Sequence, residues 1–237
     1  MTQIELGEIT VDVILKDIKN IHLSVYPPTG RVRISAPNRM SLDTIRVYAI
    51  SRLDWIKKQQ DRFQNQEREP QRAFVTRESH CYLGKRYLLK ITESDSPSTV
   101  ILGHSQIELV VKPNSTVSQR GKLLDEWYRR QLRNVVAPYV EKWATAMDVN
   151  PEAFEIKKMR TKWGSCNREA KRIWLNLELA KKPSECIEYI VVHELAHLLE
   201  RSHNQRFAGH MDRLLPNWRQ LKDRLNRLPI SHSDWDY

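Results

Sequence analysis

Alternating apolar and polar residues in the first part of the chain are typical of β-strands. Residues 22–25 and 31–35 both alternate, and they flank the turn sequence Pro27-Pro28-Thr29-Gly30. Alternation on both sides of a turn predicts a β-hairpin. Three further strands are predicted at residues 87–91, 99–102 and 106–111. A polar stretch at residues 64–72 is predicted to connect the two groups of strands.

Apolar residues at steps of three and four predict a helix that begins near Ser41. Ser41 is a suitable N-cap, and Asp43 in the first turn favours the positive end of the helix dipole. The predicted apolar face contains Leu42, Ile45, Ala49, Leu53 and Ile56. This spacing indicates one helix with a single buried side.

The second half of the chain changes from β to α character near residues 113–118. A long helical pattern covers residues 119–147, and Pro138 is expected to kink it or split it in two. Strand-like segments at 154–159 and 172–177 precede helical patterns from Ser184, at 204–215 and up to about 228. We therefore expect an α+β protein with a β-rich N-terminal domain (residues 1–115) and a second domain (residues 116–237).

The helix from Ser184 contains the pattern His193-Glu194-Leu195-Ala196-His197. Histidines four residues apart lie one turn from each other on a helix, so both imidazoles can reach one metal ion. Glu194 can then face a metal-bound water and accept its proton. The apolar residues around the motif include no helix breaker. Chance occurrence of so short a pattern on a core helix is the alternative interpretation.

A catalytic zinc ion needs a third protein ligand and an open position for water. Four residues are candidates: Glu200, His203, His210 and Asp212. His203 is favoured, because residues 201–204 can end the helix and turn the chain back toward the metal. The resulting spacing resembles that of metzincins, although Glu200 replaces the glycine at which metzincins turn.

The net charge of +10 changes the set of possible partners. It fits either a soluble surface or attraction to nucleic acid, nucleotides or another polyanion. The three cysteines include no C-x-x-C pair, which argues against a disulfide framework or a thiolate metal site. No apolar run could cross a membrane, and residues 1–15 do not look like a signal peptide. We therefore expect a cytoplasmic protein.

A second signature lies upstream, where Trp163-Gly164-Ser165-Cys166 precedes Leu175-Asn176-Leu177. It predicts a hairpin, in which Gly164 permits a bulge or a close approach of the backbone. Trp163 and Cys166 are expected to pack beneath the helix from Ser184. In zincins, the edge strand beside the active-site helix commonly receives the substrate as an added strand, so a peptide partner is conceivable here.

These segments together resemble the YgjP-like family of metallopeptidases, which are relatives of the SprT-like proteases. The resemblance covers nearly the whole chain and is carried by W-G-S-C, H-E-L-x-H and H-N-x-x-F. It implies a minimal zincin-like domain with an active-site helix and a small sheet, following a β-rich N-terminal part. It also implies zinc bound by His193, His197 and His203, with Glu194 as the catalytic acid/base. Ala208 departs from the family pattern, which usually has an aromatic residue there.

The leading hypothesis is a zinc-dependent metallopeptidase that hydrolyses peptide bonds through a metal-bound water activated by Glu194. Some YgjP-like proteins are described instead as nucleoside triphosphate pyrophosphatases, and Arg160 or Lys162 could hold phosphates in that case. The chain has no P-loop pattern, so a nucleotide would be held by side chains and metal. A non-catalytic basic adaptor that binds nucleic acid or a partner protein is the third hypothesis.

Overall fold

The structure of the protein is a computed structural model that describes residues 2–26, 29–65, 72–159 and 162–229. The predicted Pro27-Pro28 turn, most of the polar connector and Arg160 lie outside the described residues. The chain divides into two compact units that separate between residues 67 and 68. Within the described residues, no helix is both long and apolar enough to cross a membrane.

Among the residues that the structure describes, the first unit has one four-stranded sheet and two helices. Its strands are β1 (Thr2–Leu6), β2 (Ile9–Lys16), β3 (His22–Tyr26) and β4 (Arg31–Pro37), in the order β1-β2-β4-β3. The antiparallel pairing of β3 with β4 confirms the predicted hairpin, with Val25 opposite Val32. Strands β1 and β2 were not predicted, although their residues also alternate.

The helix predicted from Ser41 is in fact two helices, α1 (Leu42–Ser51) and α2 (Leu53–Asn65). The Ser41 side chain caps α1 by accepting a hydrogen bond from the Thr44 amide. Arg52 ends α1, because its amide bonds to the carbonyls of Ala49 and Ile50. Ile45 on α1 and Ile56 on α2 are both buried against the sheet. The two helices therefore contribute to one hydrophobic core although the chain is not helical at Arg52.

The described part of the second unit has two small sheets and four α-helices. One sheet has the order β5-β6-β8-β7, and the other has the order β10-β11-β9. The strands are β5 (Ser79–Tyr82), β6 (Lys85–Glu93), β7 (Thr99–Leu102), β8 (Gln106–Val111), β9 (Ala153–Lys157), β10 (Gly164–Asn167) and β11 (Arg172–Asn176). The helices are α3 (Val117–Met147), α4 (Ser184–Leu199), α5 (Gln205–Leu214) and α6 (Trp218–Arg227), and a short 3-10 helix (Leu177–Lys181) precedes α4.

The domain boundary expected at residue 115 lies inside this second unit. The apolar faces of β6 and β8 share one continuous hydrophobic core with α3 and α4, to which Leu89, Ile107 and Leu109 contribute. The Tyr128 hydroxyl on α3 also donates a hydrogen bond to the Cys81 carbonyl at 2.7 Å. Strands β5–β8 therefore belong with the helices, and the division follows the polar connector instead.

Helix α3 is a single element of 31 residues that passes through Pro138. The helix is therefore not split at Pro138, which was one of the two expected effects of this proline. Proline removes only one backbone donor, and the neighbouring turns bury Val136 and Val140 in the core. Thr116 and Gln119 also form a capping box at the start of the helix. Mixed helices and sheets in both units confirm the predicted α+β class.

Candidate metal centre

Helix α4 carries His193, Glu194 and His197. Its buried face is formed by Ile187, Ile190, Val191 and Leu195, which pack into the core of the second unit. This packing fixes the helix rotation, so the two histidines are half-buried while Glu194 is 4% exposed. The imidazole centroids of His193 and His197 are 5.0 Å apart, as the four-residue spacing predicts.

The chain turns sharply after α4 and brings His203 to the same place. The helix ends at Leu199, and Glu200 is already extended, with φ −133° and ψ 121°. His203 Nε2 lies 2.9 Å from His193 Nε2. One nitrogen from each of His193, His197 and His203 lies within 4.8 Å of the others. We call these three residues the histidine triad.

The other three candidates for the third ligand lie elsewhere or have other partners. The Glu200 carboxylate contacts the amide and hydroxyl of Ser202, both at 3.4 Å, because the helix stops before this residue. Asp212 on α5 accepts hydrogen bonds from Trp218 and Arg219. His210, also on α5, is not part of the cluster of potential ligands.

Two contacts orient the histidine triad. His197 Nδ1 lies 3.1 Å from the Glu200 carbonyl oxygen, which can only accept a hydrogen bond. Nδ1 therefore carries the proton, and the Nε2 lone pair is free to bind a metal. The Phe207 ring lies 4.8–5.0 Å from all three imidazole centroids. Asn204 holds Phe207 in place by accepting a hydrogen bond from its amide at 3.0 Å.

The environment keeps the histidine triad neutral. Burial lowers the pKa of His193 to about 3, and the neighbouring charges of His197, His203 and Lys222 add to this effect. Burial is also the main cause of the lowered pKa of His197 and of His203. Neutral imidazole is the form that coordinates metal ions, so no proton has to be displaced from these rings near pH 7.

Glu194 is buried beside the triad, and burial raises its pKa to about 8. The positive charge of Lys162 opposes this rise. Strand β10 packs directly against the carboxyl group. A Cβ atom at Gly164 would lie 2.7 Å from both Cγ and Cδ of Glu194 and would also contact Oε1. The predicted close backbone approach at Gly164 is therefore an approach to Glu194.

Asn176 fixes the segment that leads into β10, a role that was not predicted. This buried side chain donates to the carbonyls of Met159 and Lys162 at 2.9 and 2.8 Å, and accepts from the Met159 amide. The backbone N–H of Asn176 donates a hydrogen bond to the Trp163 carbonyl. The sequence did contain a sign of this role, because Asn176 stands between two leucines at the end of a predicted strand. A buried amide side chain in such a position must form hydrogen bonds.

Trp163 and Cys166 are partly buried and pack against the main core, as expected. Burial, with a smaller contribution from the charge of Glu194, raises the pKa of the Cys166 thiol to about 11. A thiol with so high a pKa stays protonated near neutral pH and is a poor nucleophile. All three cysteines are free, and Cys186 is a fully buried core residue.

The family model of the YgjP-like metallopeptidase domain matches residues 19–228, which is most of the chain. The protein belongs to this family of metallopeptidases. No curated protein sequence is significantly similar to the chain.

The solved structures that are similar to part of the chain include two crystal structures of metallopeptidase zymogens. Abylysin from Pyrococcus abyssi is 20% identical, with a TM-score of 0.36, over 38% of this chain and 90% of that chain. Jannalysin from Methanocaldococcus jannaschii is 21% identical, with a TM-score of 0.34, over 40% of this chain and 92% of that chain.

Substitution of Gly164 by alanine is expected to displace the Glu194 carboxyl group. The added methyl group would overlap Cγ and Cδ of Glu194, so the side chain must rotate or β10 must move away. A misplacement of about 1 Å at a reacting group can cost about 100-fold in rate. We expect a loss of this size in kcat for peptide hydrolysis, with metal content unchanged.

Gly209→Ala is the matched control, because a Cβ at this exposed position on α5 meets nothing within 4 Å. Alanine in a helix interior is favoured over glycine, so this variant should be fully active and slightly more stable. Equal activity of the two variants would contradict the role of the close approach at Gly164.

Proposed function

We propose that the protein is a zinc-dependent peptidase in which His193, His197 and His203 hold the metal ion. The observation that carries this proposal is the convergence of three imidazole nitrogens within 4.8 Å beside one buried carboxyl group. Membership in a family of metallopeptidases supports the same reaction class. Zinc is the metal that commonly combines three such ligands with one open position for catalysis.

The histidine triad fits zinc in its donor chemistry. All three donors are neutral imidazoles, which zinc accepts readily. His197 also donates its second ring N–H to a backbone carbonyl, which is typical of zinc-bound histidine. No fourth ligand is present among the described residues near the triad. A structural zinc site prefers four protein ligands, so the set favours a catalytic role.

Glu194 is proposed to act as the general base and then as the general acid. Zinc, when bound, supplies a Lewis acid that lowers the pKa of water to about 7. The positive charge of bound zinc would lower the pKa of Glu194 and keep its carboxylate ionised. Glu194 could then take a proton from the attacking water and pass it to the nitrogen of the leaving group. Its burial excludes bulk water from this proton transfer, and the backbone of Gly164 limits the positions that its carboxyl group can occupy.

Strand β10 is proposed to hold the peptide. Within its sheet, β10 lies at the edge and pairs only with β11 among the described strands. An extended peptide can add to such an edge through backbone hydrogen bonds. Because Gly164 on β10 contacts Glu194, a peptide bound along this strand would pass close to the general base.

Metal removal and restoration tests this function. The purified protein should contain about one zinc per chain, lose activity on an unfolded protein substrate after chelation, and regain activity when zinc is added back. Nucleoside triphosphates should not be hydrolysed in a parallel assay. Release of pyrophosphate without peptide cleavage would favour the pyrophosphatase hypothesis, and zinc binding without either reaction would favour the adaptor.

A further inference from the structure

A lysine lies beside the histidine triad on the side formed by α6. Lys222 Nζ lies 5.8 Å from the ring centroid of Trp218, which stacks on Tyr189 at 6.5 Å. The Tyr189 ring in turn meets His193 edge-on at 5.8 Å. After burial and the charge of His197, the charge of Lys222 further lowers the pKa of His203. The charge of the Lys222 ammonium group therefore influences His193 and His203.

A second lysine lies on the side of Glu194. Lys162 is exposed, but its backbone is fixed because its carbonyl accepts a hydrogen bond from Asn176 at 2.8 Å. Two residues later, Gly164 contacts the Glu194 side chain. Burial raises the pKa of Glu194, and the charge of Lys162 partly offsets this rise.

Neither Lys162 nor Lys222 forms an ion pair with a carboxylate of the described residues. The nearby acidic groups have other partners: Asp212 binds Arg219, and Glu200 contacts Ser202. Asp223 follows Lys222 on α6 and its negative charge acts on Tyr189, but no ion pair joins it to Lys222. The two exposed lysines therefore place positive charge near the triad that is not paired with any carboxylate of the described residues. A third exposed cation, Arg168, donates to the carbonyls of Leu198 and Leu199 at the end of α4.

We infer that Lys162 and Lys222 bind acidic side chains of the substrate, so that the preferred substrates are peptide segments rich in aspartate and glutamate. This inference rests on the proposed peptidase function. A lysine ammonium is a point charge on a flexible stem, which suits carboxylates at variable positions along an extended peptide. The two lysines act from separate elements, the approach to β10 and helix α6, so each side of the site contributes one charge.

The contribution of the lysines should appear in substrate binding. Exposed charges away from the reacting atoms stabilise the bound substrate and the transition state equally, which lowers KM and leaves kcat unchanged. Their attraction should weaken as salt rises, because the screening length falls from about 10 Å at 0.1 M to about 3 Å at 1 M.

Three pools of synthetic peptides that differ only in charge would test this inference. At fixed positions they carry aspartate and glutamate, asparagine and glutamine, or lysine and arginine. The zinc-loaded protein should cleave the acidic pool with a kcat/KM about tenfold above that of the neutral pool at low salt. Lys162→Glu and Lys222→Glu should each largely abolish the preference for the acidic pool, and the double variant should reverse it. Lys222→Arg should keep it, because the charge remains.

Lys122→Glu is the matched control, since Lys122 is exposed on α3 and its charge does not contribute to the pKa shifts of Glu194 or the triad. It should leave the preference unchanged. Equal cleavage of all pools by the wild type, or an equal effect of Lys122→Glu, would overturn the inference.

A binding measurement separates this inference from the proposed function. Zinc-loaded Glu194→Gln protein should bind a fluorescent acidic peptide more tightly than its neutral counterpart, and the difference should vanish at high salt. If the wild type cleaves no pool, the peptidase function fails. Equal binding of acidic and neutral peptides overturns the role of the two lysines, whether or not cleavage occurs.

Discussion

Replacement of Glu194 by glutamine is expected to abolish peptide hydrolysis and to stabilise the metal-free protein. Glutamine fills the same buried space but cannot take a proton from water. A positioned general base contributes about 10²–10⁴-fold to the rate, so kcat should fall by that factor. Zinc content should not change, because the amide leaves all three imidazoles of the triad in place.

The gain in stability follows from the burial of Glu194. Its pKa is about 8 in the folded protein, against 4.5 for an ordinary glutamic acid. A carboxyl group whose pKa is raised by folding contributes stability below pH 4.5, and this contribution is lost as the pH rises through 8. Glutamine does not ionise, so it avoids the loss. The variant should exceed the wild type in free energy of unfolding by about 4 kcal/mol at pH 8.

Thermal unfolding of metal-free protein between pH 5 and pH 9 measures this difference. The gap between wild type and Glu194→Gln should be small at pH 5 and grow to several degrees by pH 8. Glu169→Gln is the control, because Glu169 is exposed and has no ion pair described. A gap that stays constant with pH would contradict the role of the buried carboxyl group.

The central part of the candidate site could be predicted from the sequence because it depends on local geometry. The four-residue spacing of His193 and His197 determines their relation on any helix. The apolar residues around them indicate which side of that helix is buried. His203 was also predicted, since the end of α4 depends on the nearby polar residues 200–204.

Residues brought in by tertiary packing could not be predicted in this way. The position of Lys222 near the triad depends on the stacking of Trp218 on Tyr189, a contact between α6 and α4. The partners of Asn176 depend on how the segment before β10 folds back. No spacing rule encodes either contact.

The position of the domain boundary also depends on tertiary packing, and the local sequence pattern did not predict it. The change from β to α character near residue 115 is real, but it separates elements that share one core. Secondary structure follows local patterns, whereas a unit is defined by which apolar faces bury one another. The polar connector at residues 64–72 was the more relevant signal, because few contacts cross such segments.

Replacement of His203 by alanine is expected to remove most of the affinity for zinc. His203 is exposed, so the substitution should cost little folding stability. Loss of a residue that hydrogen-bonds to a zinc ligand weakens the affinity for zinc by about 10–100-fold. Loss of a ligand itself should weaken it more. Competition with a zinc-binding dye at pH 7.5 measures the dissociation constants.

Two further variants make this comparison specific. His210→Ala removes the next histidine along the chain, and Glu200→Gln removes the carboxylate that lies between His197 and His203 in sequence. Both side chains were candidates for the third ligand, and neither belongs to the cluster of potential ligands. Both variants should bind zinc like the wild type. In Glu200→Gln the backbone carbonyl of residue 200, which orients His197, is still present. If His203→Ala retains wild-type affinity while either of the others loses it, the assignment of the third ligand must change.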